Sequence, residues 1–224
     1  MKRMFGCFLR NGLIAALLLA VSTTAMAVDV REKYVFKGPF NMKTATGVEF
    51  SFDCDDAANV CRRYVYFKSG EGYYKVPFSV SGNGKTVVSV DRIDCIGAEG
   101  KVAGWENIEE ILVSFWREDV TPVKWSASGL KVSRKPYNAV IVMADAATHV
   151  FPRKLEACGM IPLFTDAKEL DDSMLDGVAL VVPIGNMGKF PKKAMETINR
   201  FKSRGGVLLP VKERLAATTH RQLL

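Results

Sequence analysis

Histidine is almost missing: a chain of 224 residues has two, His149 and His220. Two imidazoles with thiols scattered between them do not make the His and Cys ligand set of a zinc site. A Cys158–His149 nucleophile and base would sit at opposite ends of one short helix, too far apart for thiol catalysis. Phosphate-binding glycine patterns are lacking as well. Ala144-Asp145-Ala146-Ala147-Thr148 carries no glycine fingerprint and no Walker-type loop occurs, which excludes dinucleotide and nucleotide sites of those kinds. Gly185-Asn186-Met187-Gly188 has Asn and Met where a nucleophile elbow needs Ser or Cys, so it reads as a tight loop. The acids for paired-carboxylate chemistry exist, but none sits on an identifiable strand-end scaffold. Beyond Leu13 to Val21 no apolar run approaches the roughly 20 residues of a membrane span.

That one run belongs to a targeting pattern. Lys2, Arg3 and Arg10 precede LIAALLLAV, and Ala25-Met26-Ala27 follows as a small-x-small cleavage site. The arrangement predicts a signal peptide over residues 1–27, a chain starting at Val28, and a secreted or periplasmic location. Cys7 lies before the apolar stretch, whereas lipidation needs a Cys after it. Losing the three basic residues lowers the formal charge from +7 to +4. Residues 28–135 carry 16 basic against 15 acidic residues, so the remaining excess lies in the second half, after Lys189. It follows helical spacing and a helix C-terminus, which suits a solvated helix face rather than a nucleic-acid patch. Neither nucleic acid nor, after cleavage, a membrane is an expected partner.

Near Arg134-Lys135-Pro136 the pattern changes. Before it, short alternating runs are broken by Gly, Asn and Asp; Val48, Phe50, Phe52 and Cys54 alternating with Glu49, Ser51 and Asp53 is the clearest. Ser69-Gly70-Glu71-Gly72 and Ser81-Gly82-Asn83-Gly84 read as hairpin turns. About seven such strands over 28–135 predict a β-sandwich or jelly roll. With Val65, Phe67, Val113 and Phe115 facing the core, Tyr64, Tyr66 and Trp116 face outward, and Tyr73 is on the outer side of its own strand. An outer face should be mostly polar. These rings suit either stacking on a sugar, with Asp53, Arg63 and Lys75 bonding hydroxyls, or packing against the second module or a long loop. Cys54 and Cys61 flank a turn-like loop and are expected to face each other at a hairpin mouth as a disulfide. Asp53, Asp55 and Asp56 lack a loop motif of defined spacing and read first as a solvated acidic turn.

Tyr66-Phe67-Lys68-Ser69-Gly70-Glu71-Gly72-Tyr73-Tyr74, with Gly104-Trp105-Glu106-Asn107-Ile108 and Ile111 to Arg117, resembles the galactose-binding-like jelly rolls of secreted bacterial glycoside hydrolases. That resemblance covers most of residues 33–133. It implies binding of a polysaccharide or oligosaccharide, often beside a structural calcium ion, to which Asp53, Asp55 and Asp56 could supply oxygens.

After Pro136 come uniform apolar runs separated by amphipathic stretches. Strands are predicted at Ala139 to Met143, Ile161 to Thr165, Val178 to Ile184 and Val207 to Val211. Helices are predicted at Pro152 to Ala157, Pro191 to Arg204 and from Lys212 on. This is a parallel α/β pattern of the flavodoxin-like kind, with four strands where five or more are usual, hence an incomplete domain over 136–224. Tyr137 to Val142, Ala157-Cys158-Gly159, Asp176-Gly177, Pro183 and Phe201 to Leu209 are similar to glutamine-amidotransferase-like domains of the same multi-modular proteins. There such domains usually lack their catalytic Cys and precede a barrel.

The fold class expected is therefore β plus α/β, a sandwich followed by a truncated flavodoxin-like domain. The leading functional expectation is an exported, non-catalytic accessory protein without a cofactor. It would hold polysaccharide near a missing catalytic domain or partner chain, with Tyr64, Tyr66, Tyr73 and Trp116 as its site. A structural or interaction module without sugar binding is the alternative. A small hydrolase using Asp145 or Asp166 is a third.

Overall fold

A computed structural model describes residues 30–143 and 152–211. The expected signal peptide, residues 144–151 with Asp145 and His149, and the helix expected from Lys212 lie outside them.

Seven antiparallel strands make up the first part: β1 (Arg31–Phe40), β2 (Gly47–Cys54), β3 (Val60–Pro77), β4 (Gly84–Asp91), β5 (Gly97–Val102), β6 (Ile108–Arg117) and β7 (Trp125–Ser133). They form two sheets, ordered β1-β6-β3-β5 and β4-β2-β7. Period-two alternation dictates which residues meet between them. Val48, Phe50, Phe52 and Cys54 of β2 are buried, as are Val65, Phe67, Val113 and Phe115 opposite. The rings interlock edge to face: Phe52 lies 5.7 Å from Phe78 and 5.9 Å from Phe115, and Phe115 lies 5.0 Å from Trp125.

β3 is a doubled element. Its first arm pairs with β6 through Val60–Lys68, and its second pairs with β5 through Gly70–Lys75. The reversal is at Gly70, whose φ of 62° is open to glycine at little cost. Phe78 N–H reaches the Arg63 carbonyl across the two arms at 3.2 Å. The turn expected at Ser69-Gly70-Glu71-Gly72 is thus present.

The second part is a parallel sheet of β8 (Ala139–Met143), β9 (Pro162–Asp166), β10 (Leu180–Ile184) and β11 (Val207–Leu208), ordered β11-β10-β8-β9. Every residue of β8, β9 and β10 is buried, as befits strands covered on both faces. Two helices accompany them, α1 (Pro152–Ala157) and α2 (Lys192–Ser203). Ala194, Ile198 and Phe201 of α2 pack with Val140, Val142, Leu163 and Val181 on one sheet face. Residues of the other face, among them Ala139, Ile141, Phe164, Val182 and Ile184, belong to the same apolar cluster as the sandwich interior. The change of sequence pattern at Pro136 is therefore not a break in the core. The connection itself is pinned: Lys135 N–H donates to Thr46 Oγ1 at 3.1 Å and Arg134 to the Asn41 carbonyl at 3.0 Å.

Candidate functional site

The four aromatic residues expected to share a face do so. Trp116 of β6 lies opposite Arg31 of β1, and Tyr64 of β3 opposite Ser114 of β6. Their rings form an edge-to-face chain: Trp116–Tyr64 at 6.2 Å, Tyr64–Tyr66 at 6.0 Å and Tyr66–Tyr73 at 6.3 Å. The last contact exists because β3 doubles back and brings Tyr73 beside Tyr66.

Cations lie over these rings. Arg31 reaches from β1 across β6, its guanidinium 4.9 Å from both the Tyr66 and Trp116 centroids, while its Nε donates to Ser114 Oγ at 2.7 Å. Lys75 is 4.3 Å from the Tyr64 centroid and 5.7 Å from that of Tyr66, and pairs with Glu99 at 3.2 Å. Such contacts draw on the negative ring face. Burial works against the Lys75 charge, but Glu99 and the neighbouring tyrosines outweigh it and its pKa is raised. Burial pushes the Tyr66 phenol up, with Lys75 and Arg31 opposing. Tyr66 is 5% exposed and so already roofed, whereas Tyr64, Tyr73 and Trp116 are half-buried. Arg31 has no local signal marking it; only the β1–β6 pairing places it here.

Of the polar residues expected beside the rings, Lys75 is present. Asp53 belongs to β2 in the opposite sheet, so it does not line this face. Arg63 turns a guanidinium nitrogen to the Val60 carbonyl at 3.2 Å. The calcium expectation meets acids already engaged: Asp55 accepts from Lys124 N–H at 2.9 Å and Asp56 from Asn59 N–H at 3.3 Å. Among the described residues no group of three or more His, Cys, Asp or Glu is disposed to hold a metal ion. Cys54 and Cys61 are free thiols in this structure, and β2 and β3 lie in different sheets, so the loop between them is not a hairpin. Burial raises both thiol pKa values.

A second arginine–aromatic assembly, which periodicity does not reveal, closes the junction between the sandwich and the parallel sheet. Arg92, in a short turn after β4, is 1% exposed. One terminal nitrogen donates to the carbonyls of Met42 (2.5 Å), Lys43 (3.1 Å) and Ala45 (3.0 Å), and the other to the Phe164 carbonyl of β9. Its guanidinium stacks on Trp105 at 4.3 Å, and Trp105 lies nearly parallel to Tyr74 at 4.0 Å. The Tyr74 hydroxyl donates to Asp166, and Glu169 accepts from Glu106 N–H at 2.8 Å. Burial drives the Arg92 pKa down to about 10, with Glu169 and Asp166 opposing, so it stays charged at neutral pH. Burial raises Tyr74 and Glu169. Gly104 is required: its φ is 125°, and a Cβ there would stand 2.4 Å from Glu169 Oε1. Asp166, the acid considered for hydrolysis, is 3% exposed and occupied with Tyr74.

No family model matches the chain, and no curated protein matches it. One solved structure, named as a GDSL-like lipase from Bacteroides ovatus, shares 10% identity at a TM-score of 0.22, over 83% of this chain and 74% of that one. A superposition that loose says nothing of shared fold or activity. Among the described residues no helix is long and apolar enough to cross a membrane.

Proposed function

We propose that this chain is an exported, non-catalytic accessory protein that holds polysaccharide near a catalytic partner. In this reading the sandwich is a carbohydrate-binding-like jelly roll. The second part is a flavodoxin-like domain, supported by a strand order that reads 2-1-3-4 in sequence terms. The observation that carries the reading is the chain of four aromatic residues on one outer sheet face, where polar residues are the rule. Half-exposed rings stack on the C–H face of sugars, and shallow sites of this kind gain avidity by repetition in larger assemblies. Export would also carry Cys54 and Cys61 into an oxidising compartment.

Affinity-gel electrophoresis of the purified protein against soluble polysaccharides tests it. Retardation that is lost in Tyr64→Ala and Trp116→Ala supports the site; Tyr66 is buried and unsuited to truncation. No retardation by any polysaccharide refutes the function.

A second reading, a structural or interaction module without sugar binding, draws on the cations that already cover the rings. It also draws on the outer strand of the parallel sheet, where Val207 is 59% exposed. A stable oligomer with no affinity for polysaccharide favours it.

A further inference from the structure

The aromatic face carries two cations over its rings, and the Glu99 carboxylate lies at its Tyr73 edge. Arg31 spans Tyr66 and Trp116, and Lys75 lies over Tyr64. The two cations differ in what they have left to offer. Lys75 is committed to Glu99. Several neighbouring cations are also matched, Lys37 with Glu110, Lys68 with Glu109 and Arg117 with Glu32, whereas Lys33, in register with Ser114, pairs with no carboxylate among the described residues. Arg31 spends its Nε on the hydroxyl of Ser114, a residue that is fully buried. Among the described residues no carboxylate pairs with Arg31, which is exposed. Its terminal nitrogens are held in a fixed plane by two rings and one hydrogen bond, with their outward donors free.

Resting on the carbohydrate-binding reading, we propose that the face is selective for acidic glycans, with Arg31 gripping the carboxylate of a uronic-acid residue. A planar, pre-oriented guanidinium matches a planar carboxylate with two parallel hydrogen bonds, a geometry that ammonium groups do not offer. A uronate carries its carboxylate directly on the ring carbon, so a sugar beside Trp116 or Tyr64 keeps that group close to the plane of the rings. A sulfate ester projects farther out on a flexible oxygen. Neutral glycans retain only ring contact, much of which the protein's own cations already take up.

The test compares polygalacturonate, a neutral β-galactan and a sulfated galactan in affinity gels and by titration calorimetry. The expected result is tightest binding of polygalacturonate, weakening strongly as salt rises from about 0.01 to about 0.5 M. Arg31→Gln is expected to weaken polygalacturonate binding about tenfold or more and not to weaken that of the neutral galactan, whose ring contacts it uncovers. Arg31→Lys should restore salt-sensitive binding in part, and a single cooperative melting transition, lowered by no more than a few degrees in either variant, serves as the folding control. Equal affinity for neutral and acidic glycans, or no loss in Arg31→Gln, overturns the selectivity while leaving the carbohydrate-binding reading in place. Tighter binding of the sulfated galactan overturns the uronate assignment. Absence of binding to all three polymers refutes both.

Discussion

Arg31 and Arg92 are built from the same parts and do opposite things. Each guanidinium lies over aromatic rings, at 4.9 Å for Arg31 and 4.3 Å for Arg92. Each has hydrogen bonds on one side and rings on the other. Arg31 keeps its terminal nitrogens toward water. Arg92 is enclosed, and its terminal nitrogens are consumed by four backbone carbonyls from both sides of the junction. A buried charge needs hydrogen bonds and opposing charges; the terminal nitrogens have the first, although Nε has no partner, and Asp166 and Glu169 provide the second. Solvent exposure, rather than residue type, decides which arginine is available for recognition and which is structural.

Breaking the buried assembly should have the largest effect. Arg92→Met leaves the carbonyls unpaired and Asp166 and Glu169 without their cation, and is expected to cost about 3–5 kcal/mol in chemical denaturation. Arg92→Lys should recover little, because one ammonium cannot reach carbonyls on both sides. A loss under about 1 kcal/mol would show that the junction does not depend on this residue. Tyr74→Phe removes one hydroxyl from the Asp166 carboxylate and should cost about 1–3 kcal/mol. Here both modules should still unfold in a single transition, because they share one apolar cluster; two separated transitions would contradict that.

The exposed assembly should be far more tolerant of change. Arg31→Gln is expected to lower stability by about 0.5–1 kcal/mol, the worth of a solvent-exposed cation–ring contact. A loss as large as that of Arg92→Met would erase the distinction between the two. The smallest effect is expected from Lys43→Met, which removes the ion pair with Asp171 across the junction, at most about 1 kcal/mol. Its pH profile is diagnostic. Burial raises the Asp171 carboxyl, but bonds from Lys43 and Ser173 hold it below the ordinary 3.8, and the bond to Asp171 raises Lys43 above 10.5. A depressed acid contributes stability above its unfolded pKa and loses it as pH falls, while a raised base loses it as pH rises. The difference between wild type and variant should therefore be widest between pH 3.8 and 10.5 and close at both ends.

The residues that local pattern places correctly are those whose partners are implied by alternation. Val48, Phe50 and Phe52 point inward, and Tyr64, Tyr66 and Trp116 point outward, because period two requires it. Uniform apolar runs at Ala139 to Met143 and Leu180 to Ile184 likewise announce strands buried on both faces. Alternation says nothing about which sheet a strand joins. The loop between Cys54 and Cys61 reads like a hairpin, yet it carries the chain from one sheet to the other, and Asp53 goes with the wrong face for the same reason. Arg31 and Arg92 were illegible because their rings and carbonyls come from distant segments: Ser114 is 83 positions from Arg31, and Phe164 is 72 from Arg92. Asp166 turns its side chain to Tyr74, and Asp171 caps the short turn that follows by accepting from Ser173 N–H.

The shared apolar cluster has a consequence for how such a gene can be rearranged. A recombination crossover at Pro136 looks harmless by sequence pattern, because it falls between two complete runs of strands. It would nevertheless strip Ile141, Phe164 and Val182 from their neighbours and leave Arg92 and Tyr74 facing water or an unrelated surface. Exchanging either half would therefore call for compensating changes on the face of the other.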